Sequence, residues 1–262
     1  MSYQFSDSRA FTLTELLVVI SIIALLGGLG HAAYSSVLGK AQTATEINAA
    51  KTLAAAYQAA AADHGGRFLP AYDPQAKGLK NPDGKPIMDL AAKEYVFRLA
   101  PYFNFAVEDT LLVSGNKTQI QEKMKFSPGM PMFDYVLSRF PSFGINRQFV
   151  GGTAGQTDAE CIRTSAQAVN SIVLFASAGT SEISGYGYVG APTGQWRWQG
   201  SPWTEGSDPG SFGYVDARHG GKAVVSFLDG STRLMTIDEL KDMRLWSMRA
   251  AQANDPNYSP GK

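Results

Sequence analysis

A run without a single charged side chain is the feature that most constrains this chain. It extends from Leu16 to Gly39 and reads LLVVISIIALLGGLGHAAYSSVLG. A helix of about 20 apolar residues is long enough to span a lipid bilayer. An ordinary secretory signal has a shorter apolar core that ends at a small-residue cleavage site. The run therefore predicts a membrane-spanning helix rather than a removable signal.

The segment that follows the run, Lys40 to Asp63, is rich in alanine, the strongest helix former. An apolar stripe at spacings of three or four residues comprises Ile47, Ala50, Ala54, Tyr57 and Ala61. Gly65 and Gly66 then provide a helix stop. The pattern predicts one continuous helix over residues 12–63, whose second half packs its stripe on a globular head.

Composition excludes several classes of function. The chain has 262 residues, with 23 basic and 23 acidic side chains. This balance argues against a nucleic-acid partner, because such proteins carry a basic excess. One cysteine, Cys161, and three histidines leave no ligand set for a Cys/His zinc site. No phosphate-binding loop or serine-nucleophile motif is present, so we do not expect an enzyme.

Glu15 lies at the edge of the apolar run, where a carboxylate is energetically expensive. One interpretation is that it stays solvated in the lipid headgroup region. The other is that it pairs with a cation, and the nearest candidate is the amine that cleavage before Phe11 would create.

The segment RAFTLTELLVVI, Arg9 to Ile20, resembles the cleavage and methylation motif of type IV prepilins and type II secretion pseudopilins. The resemblance implies that a prepilin peptidase cuts between Ala10 and Phe11 and that the new amine is methylated. It also implies that Glu15 pairs with the Phe11 amine of a neighbouring subunit in a helical filament. A buried pair of this kind sets register more than it adds stability.

Two positions depart from the usual pattern of the family. Ala10 stands where most members have glycine, and Ala32 stands where many pilins have a helix-kinking proline. Gly27, Gly28 and Gly30 precede Ala32, and each glycine costs about 1 kcal/mol inside a helix. They predict either a hinge where the helix melts or close packing between membrane helices.

The clearest local signal in the head is a hairpin with an Asp229-Gly230 turn, between AVVSFL and STRLMTI. His219 precedes Asp229 by a spacer of nine residues. This arrangement resembles the H-X9-DG segment that accompanies prepilin-type leaders in many planctomycete- and verrucomicrobia-like bacteria. The resemblance carries no settled chemistry, so the role of His219, Asp229 and Gly230 is open.

Three interpretations of His219 and Asp229 remain. The first is structural, with His219 satisfying a loop and Asp229-Gly230 forming the turn. The second is a calcium site to which Asp216 and Asp229 would contribute oxygen ligands. The third is a catalytic His-Asp pair. We otherwise expect no cofactor.

Aromatic residues cluster in a Gly- and Pro-rich segment that contains Trp196, Trp198 and Trp203. They form either an exposed platform for a glycan or partner, or a folded loop that covers the sheet. Elsewhere the patterns predict strands at Ser171–Ser177 and Asp109–Ser114, a helix at Asp238–Ala253 and a disordered tail at Asp255–Lys262.

Together these features predict an α+β, pilin-like fold, in which a long N-terminal helix packs on an antiparallel sheet with an enlarged, loop-rich head. We expect a leader at residues 1–10, the transmembrane and amphipathic helix at 11–64 and the head at 65–262.

The resemblance implies a structural filament subunit of a type IV pilus-like system or a type II secretion pseudopilus. Its expected partners are the prepilin peptidase, other subunits, the inner-membrane assembly platform and membrane lipid. The N-terminus would be cytoplasmic and the head periplasmic, before assembly into a filament in the periplasm or at the cell surface. The alternative is a membrane-tethered envelope or glycan-binding protein that uses the aromatic loop and does not polymerise.

Overall fold

The computed structural model describes residues 12–127, 129–130, 132–168, 172–193, 198–200 and 202–261. Helix α1 runs without a break from Leu13 to Asp63, which confirms the predicted long helix. Just beyond its end, the Gly66 N–H donates to the Ala61 carbonyl at 2.8 Å. Gly66 has a φ of +81°, a left-handed conformation that favours glycine and ends helices.

Two compact units divide the chain within α1, Met1–Ala41 and Gln42–Lys262. Within the residues described, we find no helix with a stretch both long enough and apolar enough to cross a membrane. The bilayer span predicted for residues 16–39 therefore stays a prediction.

A five-stranded sheet lies at the centre of the second unit, with the strand order β3-β1-β2-β4-β5. The strands are β1 Phe143–Asn146, β2 Val173–Ser177, β3 Tyr188–Val189, β4 Lys222–Phe227 and β5 Thr232–Thr236. Neighbouring strands pair antiparallel, except β1 and β3, which are parallel. The protein is therefore α+β, with a mostly antiparallel sheet, as predicted.

The helices that follow α1 in the described part of the chain are short. They are α2 Asp89–Ala92, α3 Tyr95–Leu99, α4 Val107–Thr110, α5 Asn116–Lys123, α6 Phe133–Arg139, α7 Ile237–Leu240 and α8 Met248–Ala253. Single 3₁₀ turns lie at Ala100–Phe103, Ser165–Gln167, Pro209–Phe212 and Met243–Leu245.

The sheet separates two apolar cores because successive strand residues point to opposite faces. Val224 lies in the core that contains Leu53 and Tyr57 of α1. Val225 lies in the other core, with the fully buried Trp246. The predicted stripe is buried at Ala50, Ala54, Tyr57 and Ala61, and Ile47 packs against it half-buried.

The predicted β4–β5 hairpin is present, and the strand predicted at Ser171–Ser177 is present as β2, Val173–Ser177. The strand predicted at Asp109–Ser114 is wrong: its first residues belong to helix α4, which ends at Thr110, and the buried Leu111 follows as the helix cap. Its apolar residues are buried through core packing, which a short sequence pattern does not distinguish from a strand.

The predicted C-terminal helix is also wrong as a single element. The Asp242 side chain accepts from the Arg244 N–H at 2.9 Å and starts a separate 3₁₀ turn, and Ser247 caps α8. Nor is the described tail free, because the Tyr258 hydroxyl donates to Glu160 at 2.9 Å. Long-range contacts of this kind leave no local pattern in the sequence.

Candidate functional site

Glu15 closes a capping box at the start of α1. The Thr12 N–H and hydroxyl donate to its Oε2 at 2.9 and 2.8 Å, and the Glu15 N–H donates to the Thr12 hydroxyl at 3.2 Å. This reciprocal arrangement satisfies two backbone donors that the helix cannot pair itself. Ala10 and Phe11 lie outside the described residues, so the pairing of Glu15 with the Phe11 amine stays a prediction.

The first turns of α1 expose large apolar side chains to solvent. Their exposed fractions range from 44% at Val19 to 81% at Leu13. The set comprises Leu13, Leu16, Leu17, Val18, Val19, Ile20, Ile22, Ile23, Leu25 and Leu26. A contiguous apolar surface of this kind indicates an interaction with lipid or protein. The helix continues unbroken through Gly27, Gly28 and Gly30, so a hinge there stays a prediction.

The head contains a second candidate site, built around a carboxylate that the sequence analysis did not select. Glu46 projects from α1 and is completely buried. Its two oxygens accept from the hydroxyls of Ser114 and Ser177. The Nε2 atom of His219 lies 2.9 Å from Glu46 Oε2.

Arg218 provides the charge that balances Glu46. Its Nε and Nη2 lie 3.1 and 2.9 Å from the two Glu46 oxygens. Nη1 donates to Asp216 and to the Ala178 carbonyl, and Nη2 also donates to the Ser142 carbonyl. These bonds engage every N–H of the guanidinium, so Arg218 has a structural task and no donor left for a ligand.

Electrostatics keep Glu46 and Arg218 of this cluster charged. Burial alone would raise the pKa of Glu46, but Arg218 and His219 outweigh burial and hold that pKa well below its usual range. Burial would likewise lower the pKa of Arg218, yet Glu46 and Asp216 raise it overall. The cluster is therefore a closed ionic network, because each charge is paired and hydrogen-bonded.

His219 and Asp229 are not brought together. Both ring nitrogens of His219 face residues of α1 instead. Nδ1 lies 3.0 Å from the Thr43 hydroxyl, and Nε2 lies 2.9 Å from Glu46 Oε2. Asp229 lies in the hairpin turn, where its Oδ1 accepts from the Ser231 N–H at 2.8 Å. The structural interpretation agrees with these contacts, whereas the catalytic pair is not formed.

The calcium interpretation finds little support in the geometry. The Asp216 carboxylate is engaged by Arg218 at 3.0 Å. Among the residues that the structure describes, no three His, Cys, Asp or Glu side chains gather in a way that could hold a metal ion.

Trp198 is packed into the head. Its indole N–H donates to the Gly190 carbonyl at 2.8 Å, and its ring lies edge-on to Trp246 at 6.0 Å. Trp203 packs against Phe212 at 5.2 Å and also lines a cavity of about 610 Å³. Trp196 lies outside the described residues. These contacts favour the interpretation of the segment as a folded cover for the sheet.

The sequence did carry a signal for Glu46. It lies four residues before Ala50, on the same apolar stripe, where an unpaired carboxylate would be costly. A charged residue on a buried stripe predicts a buried partner. Finding Arg218 as that partner requires the fold, because 172 positions separate the two residues.

The family model of the prokaryotic N-terminal methylation motif matches residues 5–30 of the chain. No curated protein and no solved structure matches the chain significantly. The likeness of the H-X9-DG segment to its family stays a prediction. The methylation motif is characteristic of type IV pilins and pseudopilins, and the α+β architecture is consistent with a pilin-like fold. The chain thus carries, over residues 5–30, the N-terminal methylation motif that is characteristic of type IV pilins and pseudopilins.

Proposed function

We propose that this chain is a structural subunit of a type IV pilus-like or type II secretion pseudopilus filament. A prepilin peptidase cuts between Ala10 and Phe11, and the subunit assembles through α1. The methylation motif carries this proposal, because it implies a membrane-anchored N-terminus and assembly with other pilin subunits. The role is mechanical rather than enzymatic, and it requires no cofactor.

The exposed apolar side chains of α1 support the proposal. Surface as apolar as that from Leu13 to Leu26 needs lipid before assembly and neighbouring helices afterwards. Removal from lipid is tolerable only if other subunits cover the same side chains. The assembly platform of the inner membrane would drive this exchange, with the head on the periplasmic side.

Glu15 has two separable tasks under this proposal. Within one chain it accepts hydrogen bonds from Thr12 and caps α1. Within a filament its charge would attract the Phe11 amine of the next subunit. Glutamine can fill the same place in a capping box, but it carries no charge. The two tasks can therefore be separated by substitution.

The test compares Glu15→Gln, Glu15→Ala and Thr12→Ala, each expressed in the native host in place of the wild-type chain. Membrane fractionation measures insertion, and the sheared or detergent-resistant filament fraction measures assembly. We expect both Glu15 variants to insert but to leave the filament fraction at least about tenfold depleted, since one lost charge pair is worth more than about 1.4 kcal/mol in an apolar bundle. Thr12→Ala removes only the cap and should assemble.

Wild-type levels of filament from Glu15→Gln would contradict the proposal. The tethered binding protein would then become the better account. Trp203, which lines the cavity of about 610 Å³, is the residue whose substitution distinguishes the tethered binding protein from a filament subunit. Trp203→Ala should abolish binding under that account and leave filament formation unchanged under ours.

A further inference from the structure

The H-X9-DG segment touches helix α1 at both of its ends. At the first end, the ring nitrogens of His219 lie 3.0 Å from the Thr43 hydroxyl and 2.9 Å from Glu46 Oε2. At the second end, the Gln58 side-chain amide donates to the Leu228 carbonyl at 2.8 Å, beside the Asp-Gly turn. Strand β4 connects these two ends.

The length of strand β4, which makes up six of the nine spacer residues, matches the distance along the helix. Six residues of β4 at about 3.3 Å each extend roughly 20 Å. The 12 residues from Glu46 to Gln58 on α1 rise roughly 18 Å, at about 1.5 Å per residue. A strand of this length therefore brings the turn level with Gln58 once His219 is level with Glu46.

Apolar packing fills the interval between the two ends. Val224 and Leu228 point to the α1 face of the sheet and share one core with Ala50, Leu53 and Ala54. These residues alone would allow the strand to slide along the helix, because apolar contacts are not directional. The polar contacts at each end set the register.

We propose that the H-X9-DG segment is a two-ended clamp that fastens the β4–β5 hairpin along α1 between Thr43 and Gln58. At one end His219 contacts Thr43 and Glu46, and at the other end Gln58 holds the chain beside the Asp229-Gly230 turn.

Each residue of the motif then has a physical reason. An imidazole presents two ring nitrogens on opposite sides, so it bridges a hydroxyl and a carboxylate one helical turn apart, whereas an ammonium or amide would reach them less well. Mutual backbone hydrogen bonds between His219 and Lys222 hold the ring at the start of the strand.

The turn residues meet the other end. Asp229 accepts from the Ser231 N–H and closes the turn. Gly230 has a φ of +82°, and a Cβ there would lie 3.3 Å from Gln58 Nε2. Any larger residue would strain the backbone and push against the side chain that holds the turn to α1.

Hydrogen exchange of the full chain in detergent micelles tests the clamp, with exchange followed at the amides of His219, Lys222, Leu228 and Ser231. The variants are His219→Ala and Gln58→Ala. Each is expected to speed exchange at both ends of β4, including the end it does not touch, by at least about fivefold, the effect of one lost hydrogen bond. Strand β1 should keep its wild-type rates.

A glycine pair supplies the matched control. Gly84 has a φ of +76° in a turn and nothing within 4 Å of its Cβ position. Gly84→Ala carries the same backbone strain as Gly230→Ala without a neighbour to displace. We expect Gly230→Ala to speed exchange at His219, whereas Gly84→Ala should leave the hairpin unchanged.

Exchange that changes only at the substituted end would overturn the clamp, because the two contacts would then act independently. Equal acceleration throughout the sheet, or in the Gly84→Ala variant, would overturn it too. If His219→Ala does not fold, the milder Gln58→Ala and Gly230→Ala variants decide the question by the same readout.

Discussion

Replacing Glu46 by glutamine is the most informative single perturbation of the head. Four hydrogen-bond donors converge on its carboxylate, namely two serine hydroxyls and two guanidinium nitrogens. His219 Nε2 also lies 2.9 Å from Glu46 Oε2. Glutamine has nearly the same shape but offers only one acceptor oxygen. Its amide group would face donors, and Arg218 would keep only Asp216 to balance its charge.

The magnitude follows from this geometry. Removing one partner of a buried ion pair destabilises a protein by about 3–5 kcal/mol, because the other charge stays buried. Asp216 still lies beside Arg218, so we expect the lower end, a loss of about 3 kcal/mol in the free energy of unfolding. A domain with about 5–15 kcal/mol of stability loses a large share of it.

Denaturant unfolding of the full chain in detergent micelles measures the loss, with the fluorescence of the fully buried Trp246 as one signal. The midpoint should fall while the slope stays constant. Glu239→Gln is the matched control, since Glu239 lies in an exposed capping box that glutamine also fills. A Glu46→Gln variant within about 0.5 kcal/mol of the wild type would refute the network as described.

Three further outcomes follow from the same contacts. The pKa of Glu46 is below its ordinary value of 4.5 in the folded protein, so the stability advantage over Glu46→Gln should be complete above pH 4.5 and shrink as pH falls below it, in unfolding curves taken at each pH. Burial raises the pKa of the Cys161 thiol to about 11, so iodoacetamide should label it slowly in the native chain at neutral pH and quickly in denaturant, and fast native labelling would contradict its burial. Gly28 has nothing within 4 Å of its Cβ position, so Gly28→Ala should stabilise the helical conformation of α1 by about 1 kcal/mol. A fall in filament yield with normal membrane insertion would support a hinge there. An unchanged yield would favour the packing interpretation.

Local patterns predicted the parts of the fold that depend on neighbouring residues. The helix stop at Gly66 and the Asp229-Gly230 hairpin each depend on a few adjacent residues, and the structure contains both. The segment at Asp109–Ser114 was predicted as a strand, but its first residues form the end of helix α4 and the apolar residues after them are buried in a turn.

The site in the head could not be derived in the same way. Its charges come from α1 and from the loop before β4, and only the folded sheet brings Glu46 and Arg218 together. The spacing singled out His219, but the partner it suggested, Asp229, lies in the hairpin turn and does not contact the imidazole. The actual partner is Glu46, a carboxylate on the very stripe that the periodicity had marked as apolar.

The central claim is that a prepilin peptidase cleaves this chain before it assembles into a filament. Intact mass and N-terminal sequencing of the protein recovered from its native membrane test that claim most directly. We predict a chain that begins at an N-methylated Phe11. A chain that still begins at Met1 would show that Ala10 is not cut and that Glu15 has no amine to pair with, and it would contradict the filament account.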